Sequence, residues 1–266
     1  MPNERLYPIK DLRLAHGVDE AYHKKVVKNQ LTGERCIVNG DFTPFESYRM
    51  KKIENEFAVL LFPDENSRNE IMNRVSIPLQ EVTKDLGIQA IFNGVEDLPF
   101  HLTLEVGTFV NVPGSQKKTM RKLLVSDDSP LRHVERILTG LTFHLDTLVV
   151  APNSYICAGR FDEEQGSVYK ARRIAKRCFK LARNKVLVDK FGEPNFTPLL
   201  TYEDIFHLSI SRLTGTVSGE VSNRFIDRGR EIANEISKRP IAVTIAGTFC
   251  DIETSFWVQH VPSLLR

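Results

Sequence analysis

Two short stretches of this 266-residue chain repeat one pattern: Phe100-His101-Leu102-Thr103-Leu104 and Phe206-His207-Leu208-Ser209-Ile210. In a β-strand, alternate side chains share a face. Read as strands, His101 and Thr103 point one way while Phe100, Leu102 and Leu104 enter a core. His207 and Ser209 stand opposite Phe206, Leu208 and Ile210 in the same manner. A fold that buries both apolar rows must therefore hold an imidazole and a hydroxyl from each strand on a rigid support. Set side by side, the strands offer two imidazoles and two hydroxyls to one cleft.

That constellation suits phosphodiester chemistry. A neutral imidazole takes a proton from the attacking hydroxyl or water, and an imidazolium protonates the leaving oxygen. Histidine fits both tasks because its unperturbed pKa of about 6.5 is near working pH. The hydroxyls can donate to non-bridging phosphate oxygens, where charge must be stabilised. The scheme calls for no metal and no cofactor.

The surrounding pattern mixes strands and helices. Residues 1–52 are polar and irregular, with turn signals at Asn39-Gly40-Asp41 and Thr43-Pro44, and read as an N-terminal extension packed on a main fold of residues 53–266. A strand is expected at Phe57–Phe62, then helical spacing through Ile71, Met72 and Val75 that Pro78 interrupts, with a second short helix carrying Leu79, Val82 and Leu86. Further strands are expected at Phe100–Val110, at Phe143–Val150 and Ser154–Arg160 as a hairpin, at Ile205–Leu213, and at Ile241–Ala246 and Thr254–Val258. Helices are expected at Leu131–Leu138, Ser167–Lys185 and Ser222–Ser237. Regular βαβ spacing is missing, so the expected class is α+β with antiparallel sheets.

Composition narrows the function classes. A net charge of +2 is too mild for a general nucleic-acid binder. No run of about 18 apolar residues appears, and the first 20 residues show no signal-peptide core. Cys36, Cys157, Cys178 and Cys250 are scattered, which gives neither metal-ligand spacing nor a disulfide framework. The chain reads as cytoplasmic.

The paired H-x-T and H-x-S motifs resemble those of the two-histidine phosphoesterase superfamily, which includes RNA 2′,3′-cyclic phosphodiesterases, 2′,5′ RNA ligase-like enzymes and 2′,5′-oligonucleotide hydrolases. The likeness runs from Phe57 onwards. It implies a bilobed, pseudo-two-fold fold with sheets lining a central cleft and helices outside. It also implies His101 and His207 as catalytic residues, Thr103 and Ser209 as phosphate binders, and a nucleotide or RNA-end substrate. By the same resemblance His207 activates the nucleophile and His101 protonates the leaving oxygen. A cyclic oligonucleotide hydrolase, a ligase-like enzyme and a non-catalytic RNA-binding module stay open as alternatives.

Other residues weigh less. Ser211 extends the second row and Phe109 follows the first motif, and both could contact substrate. Glu105 falls at the cleft edge, and Arg212 points to the opposite face of a regular strand. His144, in Phe143-His144-Leu145-Asp146-Thr147, has its hydroxyl three residues on and so reads as structural. The basic residues Lys170, Arg172, Arg173, Lys176, Arg177, Lys180, Arg183 and Lys185 read as a solvated helix face, with an RNA-backbone track as the sharper option.

Overall fold

The structure is a computed structural model and describes residues 20–42, 44, 56–94, 99–109, 119, 130–161, 168, 170–178, 196–198, 206–217 and 219–253. Its strands are β1 Glu56–Pro63, β2 Ala90–Phe92, β3 Leu102–Phe109, β4 Thr142–Ala151, β5 Ser154–Phe161, β6 Phe196–Pro198, β7 Phe206–Leu213 and β8 Ile241–Glu253. Its helices are α1 Glu20–Asn39, α2 Glu65–Ile71, α3 Ile77–Asp85, α4 Pro130–Leu138, α5 over 170–178 and α6 Gly219–Lys238. All the strands join one sheet in the order β2-β7-β5-β4-β8-β1-β3-β6, and β7 pairs with β3 as well. Each of these pairings is antiparallel. The class is α+β.

Helices cover the apolar face of the sheet. Phe225, Ile226, Ala233 and Ile236 of α6 are buried in the core with Phe143, Leu145, Tyr155 and Cys157 of β4 and β5. Gly229 is required there, since a Cβ would fall 2.0 Å from the Tyr155 hydroxyl, which donates to the Phe225 carbonyl at 2.9 Å. Ile71, Val75, Leu79 and Val82 line the inner side of the helix that follows β1. Asp64 caps that helix by accepting the Ser67 N–H at 2.8 Å, and its own N–H donates to the Thr244 carbonyl of β8.

Pro78 does not interrupt this helix. A π-helical turn, Met72–Ser76, joins α2 to α3, and Pro78 falls in the first turn of α3. Proline has no N–H for the carbonyl four residues back, and a widened turn just upstream absorbs that loss.

The region before residue 53 holds a second departure. Instead of irregular chain, residues 20–39 form a 20-residue helix. Its buried positions, Val26, Gln30, Gly33, Glu34 and Ile37, recur at helical spacing. They lie against β4 beyond Leu145, where the register with β8 ends. Gln30 Oε1 accepts the Val150 N–H at 2.6 Å, which satisfies an edge donor. A Cβ on Gly33 would meet the Val150 carbonyl oxygen at 2.0 Å. Glu34 accepts from Nε and Nη2 of Arg230 in α6, at 3.0 and 2.8 Å.

β2 and β6, each three residues long, were not expected. The Pro113-Gly114 turn, most of the Lys117–Lys122 stretch, residues 179–185 of the expected helix and the strand at Thr254–Val258 lie outside the described residues.

Candidate active site

β3 and β7 meet at a single register pair, Leu102 opposite Leu208, and both leucines are 0% exposed. Continued one step each way, this register sets His101 opposite Ser209 and Thr103 opposite His207. Directly opposed Cβ atoms lie about 4.5–5.5 Å apart. The four residues expected from the two motifs are thus brought together on the face away from the leucines. His101 and Ser209 are each 7% exposed, while Thr103 and His207 are half-buried.

Both strands carry a bulge at the same place. In β3, the partners of Leu60 and Val59 are Thr103 and Glu105, so Leu104 is the extra residue. In β7, the partners of Ile156 and Tyr155 are Ser209 and Ser211, so Ile210 is the extra residue. Each bulge falls three residues after the histidine. A bulge removes a backbone group from the ladder, and both extra carbonyls are capped. The Leu104 carbonyl accepts Arg172 Nε–H at 2.8 Å, and the Ile210 carbonyl accepts the Asn93 N–H at 2.8 Å.

The β7 bulge exchanges the faces of Ser211 and Arg212. On β5, Ser154, Ile156 and Ala158 share one face and pair with Arg212, Ser209 and His207. Tyr155 and Cys157 face the core and pair with Ser211 and Leu208. Arg212 therefore joins the imidazole row, contrary to the expectation for a regular strand. Ser211 turns to the core side at 1% exposure, and its hydroxyl has no hydrogen-bond partner among the described residues. Phe109 lies in β3 opposite Phe196, and its side chain is outside the described residues, as is that of Glu105. His144 sits on β4, separated from β7 by β5.

Electrostatics distinguish the two imidazoles. Burial pushes His101 down to about 4, and the Arg212 charge adds to this, while the Pro99 carbonyl works the other way. His101 Nδ1 lies 3.0 Å from that carbonyl, so Nδ1–H donates to it. Burial also brings His207 to about 4, with Arg212, His101 and Arg172 all contributing in the same direction. The Phe62 ring stands 6.4 Å from the His101 ring, centroid to centroid.

The basic pattern of this segment predicts Arg172 on a solvated face. Arg172 is instead 4% exposed, and its guanidinium carbon lies 4.2 Å from the centroid of the Phe206 ring. Lys170, Arg173 and Arg177 of the same helix are exposed. The helical spacing carried the clue, because Arg172 shares the stripe of Val168, Ala171 and Ala175. Among the described residues no cluster of His, Cys, Asp or Glu could hold a metal ion. No described helix is long and apolar enough to cross a membrane.

No known family profile matches the chain, and no curated protein matches it. Solved structures resemble it weakly. Usb1 of Kluyveromyces marxianus with uridine monophosphate is 14% identical, over 77% of this chain and 97% of that one, with a TM-score of 0.44. A conserved protein of unknown function from Agrobacterium tumefaciens is 14% identical, over 78% of this chain and 85% of that one, with a TM-score of 0.43.

Proposed function

We propose that this chain is a phosphodiesterase that opens 2′,3′-cyclic phosphates or cleaves 2′,5′-phosphodiester bonds of nucleotides or RNA, with His101 and His207 as acid and base. The observation that carries the reading is the Leu102–Leu208 register, which puts both imidazoles and both hydroxyls on one face. His207, ringed by cationic influence, favours the neutral form and takes the proton of the attacking water. Among the described residues His101 has a carbonyl partner that offsets part of its lowering by burial, and in this reading it gives a proton to the leaving ribose oxygen. The new P–O bond forms as the old one breaks; the attacking water gives one proton to His207, His101 gives one to the leaving oxygen, and exchange with solvent restores both. Thr103 and Ser209 donate to the non-bridging oxygens, and Arg212 supplies fixed positive charge beside them.

The palindrome in strand order supports a pseudo-two-fold plan. β7, β5 and β4 match β3, β1 and β8, with β2 and β6 outermost. In this reading residues 1–52 are an extension to the bilobed domain, and α1 docks it along the edge of β4. The cationic residues Lys170, Arg173 and Arg177 would meet the nucleic acid beyond the reacting phosphate.

The test is hydrolysis of a 2′,3′-cyclic nucleotide in EDTA, with 2′,5′- and 3′,5′-linked dinucleotides alongside. Turnover of the cyclic or 2′,5′ substrate that vanishes in His101→Ala and His207→Ala is the expected result. Binding of RNA without turnover of any substrate would instead identify a binding module and overturn the proposal.

A further inference from the structure

We propose that Arg172 is a positioning residue, whose guanidinium ties the two motif strands together and so sets how the two imidazoles face each other. The inference rests on the phosphodiesterase reading for its catalytic consequence, but its structural part stands on geometry alone. β3 and β7 share one register pair and then separate, since β3 next pairs with β6 at Gly107 and β7 pairs with β2 at Ser211. Backbone hydrogen bonding between them is therefore too short to fix their relative tilt. Arg172 spans the place where it ends. Its Nε–H donates to the bulge carbonyl of Leu104, three residues past His101, and its guanidinium carbon lies over the ring of Phe206, the residue before His207.

Only arginine can make both contacts at once. The guanidinium is flat enough to stack on a ring and carries donors in the same plane, while an ammonium is a point charge without a face. The side chain is 4% exposed, so the fold has committed a buried cation to this junction. The same charge lowers the His207 imidazole, together with Arg212 and His101. Arg172 thus reaches one motif strand by a hydrogen bond and the other through a ring and a charge.

The experiment uses the full chain with Arg172→Met and Arg172→Lys. Three quantities are read for each: cooperativity of the thermal melt, NMR titration of the His101 and His207 imidazoles with the nuclear Overhauser contact across the Leu102–Leu208 pair, and kcat/KM on a 2′,3′-cyclic nucleotide. Arg172→Met should raise the His207 titration, weaken the Leu102–Leu208 contact and lower kcat/KM by about 100-fold, mostly in kcat, as expected for a small misplacement of reacting groups. Arg172→Lys should leave His207 titrating low yet still lose turnover, because charge without the planar fork does not hold the strands. Should the methionine variant melt without cooperativity, the lysine variant decides alone. Unchanged kcat/KM and an unchanged Leu102–Leu208 contact in the lysine variant would overturn the proposal. Failure of the wild-type chain to hydrolyse any substrate would remove the proposed function, and the NMR contact would still judge the clamp.

Discussion

β3 and β7 start from nearly the same sequence and end with different electrostatics. Each carries a hydroxyl two residues after a histidine, which on β7 is within the strand and on β3 just precedes it, and a bulge one residue later. Past the bulge they part company. On β7 the residue returned to the imidazole face is Arg212, whereas the equivalent position on β3 is Val106. The entrances differ too, for His101 follows Pro99 and holds its carbonyl, while Phe206 in front of His207 lies under Arg172. Burial and Arg212 lower both imidazoles to about 4, but a carbonyl partner opposes this at His101, while Arg172 adds to it at His207. Identical side chains are made unequal by their neighbours.

The sharpest way to break this comparison is to remove each imidazole in turn. His101→Ala and His207→Ala should each lower kcat/KM by about 100- to 10,000-fold through lost proton transfer. The double variant should lose less than the product of the two, because acid and base act as a unit. Both imidazoles are held at about 4 in the free protein, so kcat/KM should rise as pH falls below neutral, towards the range where the pair carries one proton. A rate flat across that range, with chemistry limiting, would exclude the pair. Stability runs the opposite way and falls as pH falls. The unfolded chain protonates its histidines near 6.5, so it binds more protons between there and about 4, and folding should weaken across that window. Above it the histidines contribute nothing. Urea midpoints measured against pH in the wild type and the double histidine variant would show it.

The apolar faces of the same strands should respond in the opposite way. Leu102→Ala and Leu208→Ala each empty a fully buried site and should cost about 2–5 kcal/mol of stability. Thermal melts of the four single variants would separate the faces. Early melting of the histidine variants alongside stable but inactive leucine variants would invert the assignment.

Arg212 tests the difference directly. Arg212→Met should raise both imidazole titrations, move the kcat/KM optimum upward in pH, and lower the maximal rate by about 100-fold if the guanidinium stabilises charge on the phosphate. An unmoved optimum would mean that β7's asymmetry has no part in the chemistry.

The motif strands were legible because alternation of apolar and polar residues needs no tertiary information. The bulges were not, since nothing in Leu104 or Ile210 distinguishes an extra residue from a regular one. That is why Arg212 was assigned to the opposite face and Ser211 to the imidazole row. α1 stayed hidden for another reason: its buried stripe is built partly from Gln30, Gly33 and Glu34, which are chosen for a strand edge and an ion pair instead of an apolar core. Arg172 was misjudged by type, because a cation within a helical stripe of Val168, Ala171 and Ala175 was weighed by its charge and not by its position.

The hydroxyls should give the smallest effects and the finest comparison. By register, Ser209 stands across from His101, and Thr103 across from His207. If each donates one hydrogen bond to a phosphate oxygen, deleting it removes about 1.5–3 kcal/mol of charge-assisted bonding, or roughly 10- to 100-fold in kcat/KM. Thr103→Val keeps the shape of the side chain and isolates the hydroxyl, and Ser209→Ala does nearly the same. The exchanges Thr103→Ser and Ser209→Thr keep the donor and should retain most activity. Neither deletion removes a proton-transfer group, so the pH optimum should stay in place while the rate falls. A Thr103→Val protein as active as wild type would show that the β3 hydroxyl only fills space, and the matched rows would then differ in chemistry as well as in charge.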